Sequence, residues 1–238
     1  MPDTRMQSTA ERGCGPLSPL FDEALVWASS LHRTQLRKGT NVPYLAHLMG
    51  VSSLVLEDGG TEIQASAGLL HDTVEDWGIQ IEPDLRRKFG CEVLKIVIEC
   101  SDAMPVGGAE KPPWAIRKQR YVDHLEVASP SALIVSAADK LHNARTILSD
   151  LDATRHWPDF NACYHQTLWY YEIISKKISR LLPDSRSGRA LAVVVNELYE
   201  ATPAVHRLAK VAQQVPDCPG EPRCNKVADT SVLDAMSA

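Results

Sequence analysis

This sequence has no basic excess. Its 25 Lys and Arg are set against 30 Asp and Glu, giving a net charge of −5 and a pI near 5.9. A dedicated duplex-DNA or RNA binder normally carries the opposite balance, so a general nucleic-acid surface is excluded. A small anionic ligand held by a few local cations is not. Long hydrophobic runs are missing too. The most apolar stretch, Leu191 to Val195, falls far short of the roughly 20 residues that span a bilayer. Met1 to Leu20 contain no apolar leader, so no signal peptide is read and the expected location is cytoplasmic. The six cysteines form no CxxC pair, and the nearest two, Cys218 and Cys224, sit in a Pro-rich tail. Scattered cysteines without a secretory signal read as reduced thiols.

What is present suits one domain. The chain has 238 residues, 44% of them apolar, enough to bury a core. Residues 1–17 are rich in Ser, Gly and Pro and read as a disordered lead-in; residues 209–238, with Pro216, Pro219 and Pro222, read as a flexible tail. Residues 18–208 form the expected domain. Ser18 can cap a helix carrying Leu20, Ala24, Trp27 and Leu31 at helical spacing. Similar patterns predict helices over Tyr44–Leu56, Glu62–His71, Glu82–Phe89, Cys91–Cys100, Trp114–Val127, Pro130–Leu151, Phe160–Leu182 and Arg186–Tyr199. Gly90 is a plausible helix stop. Gly and Pro gather in the connections, and only Leu133-Ile134-Val135 could equally be strand. The fold class is all-α.

The chemistry-bearing segment is Ala67-Gly68-Leu69-Leu70-His71-Asp72-Thr73-Val74-Glu75-Asp76. A His-Asp dipeptide alone carries no weight in a chain with 8 His. Here an apolar run delivers an imidazole and three carboxylates in quick succession. If the helix continues, His71 and Glu75 are i,i+4, as are Asp72 and Asp76. Such a group is either solvated at a helix end or joined by a cation, because dry carboxylates are costly. His47 opens another apolar helix. Asp139 follows the apolar run from Ala132 and needs a partner. Adjacent Lys140 points about 100° away around a helix, whereas Asn143 shares the face of Asp139. His47, His71, Asp72 and Asp139 together make a mixed nitrogen and oxygen metal site. Without a cysteine cluster, that set suits Mn²⁺, Fe²⁺ or another octahedral divalent ion more than structural zinc. Glu75 and Asp76, beyond His71 and Asp72, are placed to orient a water or move its proton.

These residues fall in an ordered pattern. It runs from Arg37-Lys38-Gly39-Thr40 through Pro43-Tyr44-Leu45-Ala46-His47 to His71-Asp72-Thr73-Val74-Glu75-Asp76. Phe89-Gly90 and Ala138-Asp139-Lys140-Leu141-His142-Asn143-Ala144-Arg145-Thr146 complete it. The pattern resembles the HD-domain metal phosphohydrolases, and within them the RelA/SpoT-type alarmone hydrolases, of which the stand-alone small enzymes are nearest in length. The resemblance implies an HD-domain helical bundle that removes pyrophosphate from the 3′ position of (p)ppGpp, releasing GDP or GTP, typically with Mn²⁺ (Fe²⁺, Co²⁺ or Zn²⁺ being the other candidates). It implies His47, His71, Asp72 and Asp139 as metal ligands and Glu75 and Asp76 as the catalytic pair. Arg37 and Lys38 would lie against the nucleotide base, and Asn143 and Arg145 would line the same pocket. A flat guanidinium can stack on a purine or grip a phosphate.

The sequence departs from the longer enzymes of this kind in carrying Leu48 after the first metal His and Ser136 three positions before the metal Asp. No synthetase segment is read, so hydrolysis without alarmone synthesis is expected. Lys111, Arg117 and Lys118, around Pro112-Pro113-Trp114, are further candidates for holding a polyphosphate. The expected partner is a small nucleotide polyphosphate, with neither nucleic acid nor membrane, and a homo-oligomer is allowed. Two rival functions stand beside this one. The first is another nucleotide phosphohydrolase, such as an NADPH 2′-phosphatase or a (p)ppApp hydrolase; the second is a non-catalytic nucleotide-binding regulator.

Overall fold

The computed structural model describes residues 15–102, 112–154, 162 and 164–202. Lys111, the Gly107-Gly108 loop, the Cys218–Cys224 pair and the expected tails (apart from 15–17) lie outside the described residues. Helix α1 spans Pro19–Leu31, α2 Tyr44–Glu57, α3 Glu62–Leu70, α4 Thr73–Trp77 and α5 Glu82–Cys100. Then follow α6 Trp114–His124, α7 Pro130–Thr154, α8 Tyr164–Leu181 and α9 Arg186–Ala201. Among the described residues there is no strand, only an isolated bridge between Leu36 and Pro43. None of the described helices is long and apolar enough to cross a membrane.

Local chemistry sets the helix starts. The Ser18 hydroxyl accepts from the Leu20 amide at 3.3 Å and donates to Glu62 at 3.0 Å, so one side chain caps α1 and ties it to α3. Thr61 and Gln64 form a reciprocal capping box on α3. Glycine sets the internal break of α5. At Gly90 the backbone turns to φ 82°, ψ 176°, so 82–89 and 91–100 are two helical segments meeting without a loop. The two expected helices are there, and the glycine between them is a kink. Helix α6 ends at His124, three residues before the expected Val127, and Leu133-Ile134-Val135 is helical within α7.

Two apolar clusters share α7. One gathers Ala24 and Ala28 of α1, Leu48 and Val51 of α2, Ala65 to Leu70 of α3, and Val93 and Val97 of α5 around Ala132, Val135 and Ala138. The other packs Tyr121 and Val122 of α6, Ile174 and Ile178 of α8, and Leu191 and Leu198 of α9 around Leu133, Leu141 and Ala144. Each fully buried Leu or Ile contributes roughly 1.5–3 kcal/mol of transfer free energy. Asp139 emerges on α7 between the two clusters. Helices α2 and α3 approach closely because α3 is lined with small residues. A Cβ at Gly68 would lie 3.2 Å from the Ser52 Cα of α2. That approach brings the His47 and His71 rings within 5.3 Å.

Candidate metal centre and its cavity

His47, His71 and Asp139 are buried and come from α2, the end of α3 and α7. Each offers one ligand atom, and these atoms all lie within 4.8 Å of one another. The His71 Nδ1 bonds the Gly68 carbonyl at 2.9 Å, so it carries the proton. Its Nε2 therefore presents a lone pair to Asp72 at 3.1 Å and Asp139 at 3.6 Å. That buried Nε2 is without a hydrogen-bond partner among the described residues. The His47 Nε2 faces the same carboxylates, at 3.3 Å from Asp139 and 3.7 Å from Asp72. Two nitrogen lone pairs turned toward two carboxylates repel unless something positive sits among them. The donor set fits a divalent cation.

The electrostatics agree. Burial opposes charge on Asp139 and Asp72. Even so, Lys140 beside Asp139, and His71 beside Asp72, hold both carboxyls below the usual range. Burial pushes His47 down. His71 is pushed the other way against its own burial, by Asp72 and Asp139. The two carboxylates favour a positive charge between the imidazoles. A divalent cation would supply that charge to both.

Asp72 is placed less centrally than the sequence suggests. Its Oδ2 accepts from the Tyr44 hydroxyl at 2.5 Å, and it falls outside the mutually close set formed by His47, His71 and Asp139. Burial and this carboxylate keep Tyr44 a phenol, hence a donor. The helix also does not run on through His71. It stops at Leu70, and α4 restarts at Thr73. Glu75 and Asp76 consequently part company. Glu75 lies 3.6 Å from the Arg117 guanidinium, whereas Asp76 accepts from Gln35 Nε2 at 2.9 Å. Gln35 in turn meets the buried His32 Nδ1 at 2.6 Å.

Lys140 corrects the sequence reading most directly. Its ammonium donates to Asp139 and lies 5.0 Å over the Tyr121 ring. The four-carbon stem folds back, so the angular offset at the backbone does not decide where the charge ends. Asn143 is on the expected face and donates to Asp139 Oδ1 at 2.6 Å. Its own oxygen accepts from Arg37 at 2.6 Å, which ties the Arg37 turn to α7. His142 stands 3.0 Å, Nδ1 to Nδ1, from His47, and burial lowers its pKa to about 4.

A cavity of about 340 Å³ opens beside this cluster. Arg37, Lys38 and Tyr44 line one wall, and Lys140, Asn143, Thr146 and Asp150 of α7 line another. Trp114, Arg117 and Lys118 of α6, with Tyr170 and Tyr171 of α8, complete it, and Glu75 reaches in. Arg37 lies 5.6 Å over the Tyr44 ring. Arg117 and Lys118 both donate to Asp102, a residue the sequence reading passed over, so their charge is partly committed before any ligand arrives. Arg145 is exposed and does not line the cavity. Tyr44, Lys140 and His142 stand inside the matched motifs, but only tertiary structure shows what they touch.

The HD-domain family signature matches residues 24–158, more than half of the chain. The chain belongs to the HD-domain family, whose hydrolases imply a divalent metal. Within it, the chain is 35% identical over 128 residues to guanosine-3′,5′-bis(diphosphate) 3′-pyrophosphohydrolase MESH1 of Mus musculus, covering 52% of this chain and 68% of that relative. A solved structure of a metazoan ortholog of SpoT, described as hydrolysing ppGpp, superposes with a TM-score of 0.60 at 25% identity. It covers 78% of this chain and 96% of that one. A Listeria monocytogenes structure, at 23% identity and TM-score 0.55 over 65% of this chain and 99% of its own, shares the fold.

Proposed function

We propose that this chain removes the 3′-pyrophosphate of (p)ppGpp-type alarmones, giving GDP or GTP and pyrophosphate. The observation that carries this is the convergence of His47, His71 and Asp139 on one point, with the His71 Nε2 lone pair aimed into it, at the edge of a cation-lined cavity. His47, His71 and Asp139 would hold the metal, with Asp72 completing the set from beside the imidazoles. Manganese is the metal proposed, one of the divalent ions that a mixed nitrogen and carboxylate set can hold. When bound, it supplies Lewis acidity toward water and the phosphoryl oxygen.

The residues of the chain do the rest. Glu75, which reaches into the cavity, would take the proton of the attacking water. Asp76, the next residue of α4 and the other half of the expected catalytic pair, is held by Gln35. Lys38, Arg117, Lys118 and Lys140 face the polyphosphate. Arg37, over the Tyr44 ring and tied to Asn143, offers a planar group for the base to stack on. Arg145 would act only from the rim.

The full chain with Mn²⁺ should convert ppGpp to GDP and pyrophosphate, identified by product chromatography. Run alongside, pppGpp, ppApp and NADPH separate the alarmone reading from other nucleotide phosphohydrolases, because NADPH would give orthophosphate. Asp72→Ala should abolish turnover in a folded protein. Glu75→Gln should lower kcat by roughly 10²–10⁴. Equal activity in wild type and Asp72→Ala would sink the proposal.

A further inference from the structure

His47 and Gly50 are three residues apart on α2, on one face of the helix. The His142 ring, arriving from α7, lies across both. Its Nδ1 meets the His47 Nδ1 at 3.0 Å, with ring centroids 4.8 Å apart and edge-on. Its opposite edge rests on Gly50, where a Cβ would come within 2.3 Å of the His142 Cδ2 and 2.4 Å of its Nε2. Two imidazole nitrogens at 3.0 Å need one proton between them, since two lone pairs repel and two N–H groups clash. The His47 Nε2 faces Asp139 and Asp72 and must keep its lone pair to bind a cation. The shared proton then belongs to His47 Nδ1, and His142 accepts it.

We infer that His142 is a positioning residue that fixes the tautomer and ring orientation of His47, and that Gly50 is glycine to leave room for it. An imidazole here does what a carboxylate or a backbone carbonyl usually does behind a metal-bound histidine. The inference rests on the metal site proposed above.

The test measures Mn²⁺ affinity by calorimetry, and thermal stability without metal, on the full chain. His142→Ala should weaken Mn²⁺ by roughly 10–100-fold. His142→Asn, whose amide oxygen falls near the lost Nδ1, should stay within a few-fold of wild type. His142→Gln, which places its amide further out, should not. Gly50→Ala should also lose affinity. Unchanged affinity in His142→Ala overturns the inference. So does an equal loss in the Ala and Asn variants together with an equal drop in metal-free stability, because the ring would then only fill space. A wild-type chain that binds no divalent cation overturns the metal site itself, and this inference with it.

Discussion

At the scale of single residues, charge is balanced in buried pairs that the sequence does not display as pairs. Asp102 is the clearest. Burial opposes its charge, but Lys118 and Arg117, both bonded to it, bring it down to about 2 from 3.8. A carboxyl held low in the folded chain stabilises it above the unfolded pKa and loses that contribution as pH falls toward the folded one. Urea unfolding of wild type should therefore show extra loss of stability between about pH 4 and 2. Asp102→Asn should start less stable, with Arg117 and Lys118 deprived of their anion, and should lack that part of the slope. The candidate metal ligands His47, His71, Asp72 and Asp139 could be picked out beforehand because they sit in an ordered motif, and the fold brings His47, His71 and Asp139 together. Asp102, Lys140 and His142 were not assigned roles, because their partners depend on where flexible stems and rings from other helices end.

At the scale of elements, helix ends carry much of the specification. The Asp58 carboxylate, just after α2, accepts from the Ser185 hydroxyl at 2.5 Å and from the amides of Arg186 and Ser187 at 2.6 and 3.1 Å. It thus sits on the positive end of α9 and fastens that helix to α2. Asp58→Ala should cost about 1–2 kcal/mol in urea unfolding, and Asp58→Asn less, because the amide still accepts hydrogen bonds. Ser18 as a cap and Gly90 as an interruption could be read from the chain, since their effects are local. The break between α3 and α4 could not. His71 and Asp72 keep backbone angles in the right-handed helical region, so no glycine or proline marks the point where the helix stops and restarts.

At the scale of the whole molecule, the cluster joins parts distant in sequence, because His47 lies on α2, His71 just after α3 and Asp139 on α7. The unfolded chain cannot present them together, so a cation that binds there favours the folded state. At a hundredfold excess over its dissociation constant the gain is about 2.7 kcal/mol. Thermal unfolding should shift upward with Mn²⁺ and return with chelator, and the shift should be lost in Asp139→Asn. The all-α class and the order of the helices were legible from helical periodicity. The division of the interior into two clusters was not, since α7 reads as one long apolar helix whichever neighbours it takes.

That double membership of α7 separates rigidity from adaptability. Ala132, Val135 and Ala138 face one cluster, while Leu133, Leu141 and Ala144 face the other. Local opening of α7 would have to disrupt both, so its backbone amides should exchange with solvent only when the whole molecule unfolds. Asp139, Lys140, His142 and Asn143 ride on that segment. Arg37 and Lys38 instead stand on a short turn closed by the Arg37–Val42 and Tyr44–Gln35 hydrogen bonds. The groups that must hold their geometry are built into the part slowest to open. Those proposed to meet the nucleotide sit on that turn, which the Arg37–Asn143 hydrogen bond couples to α7.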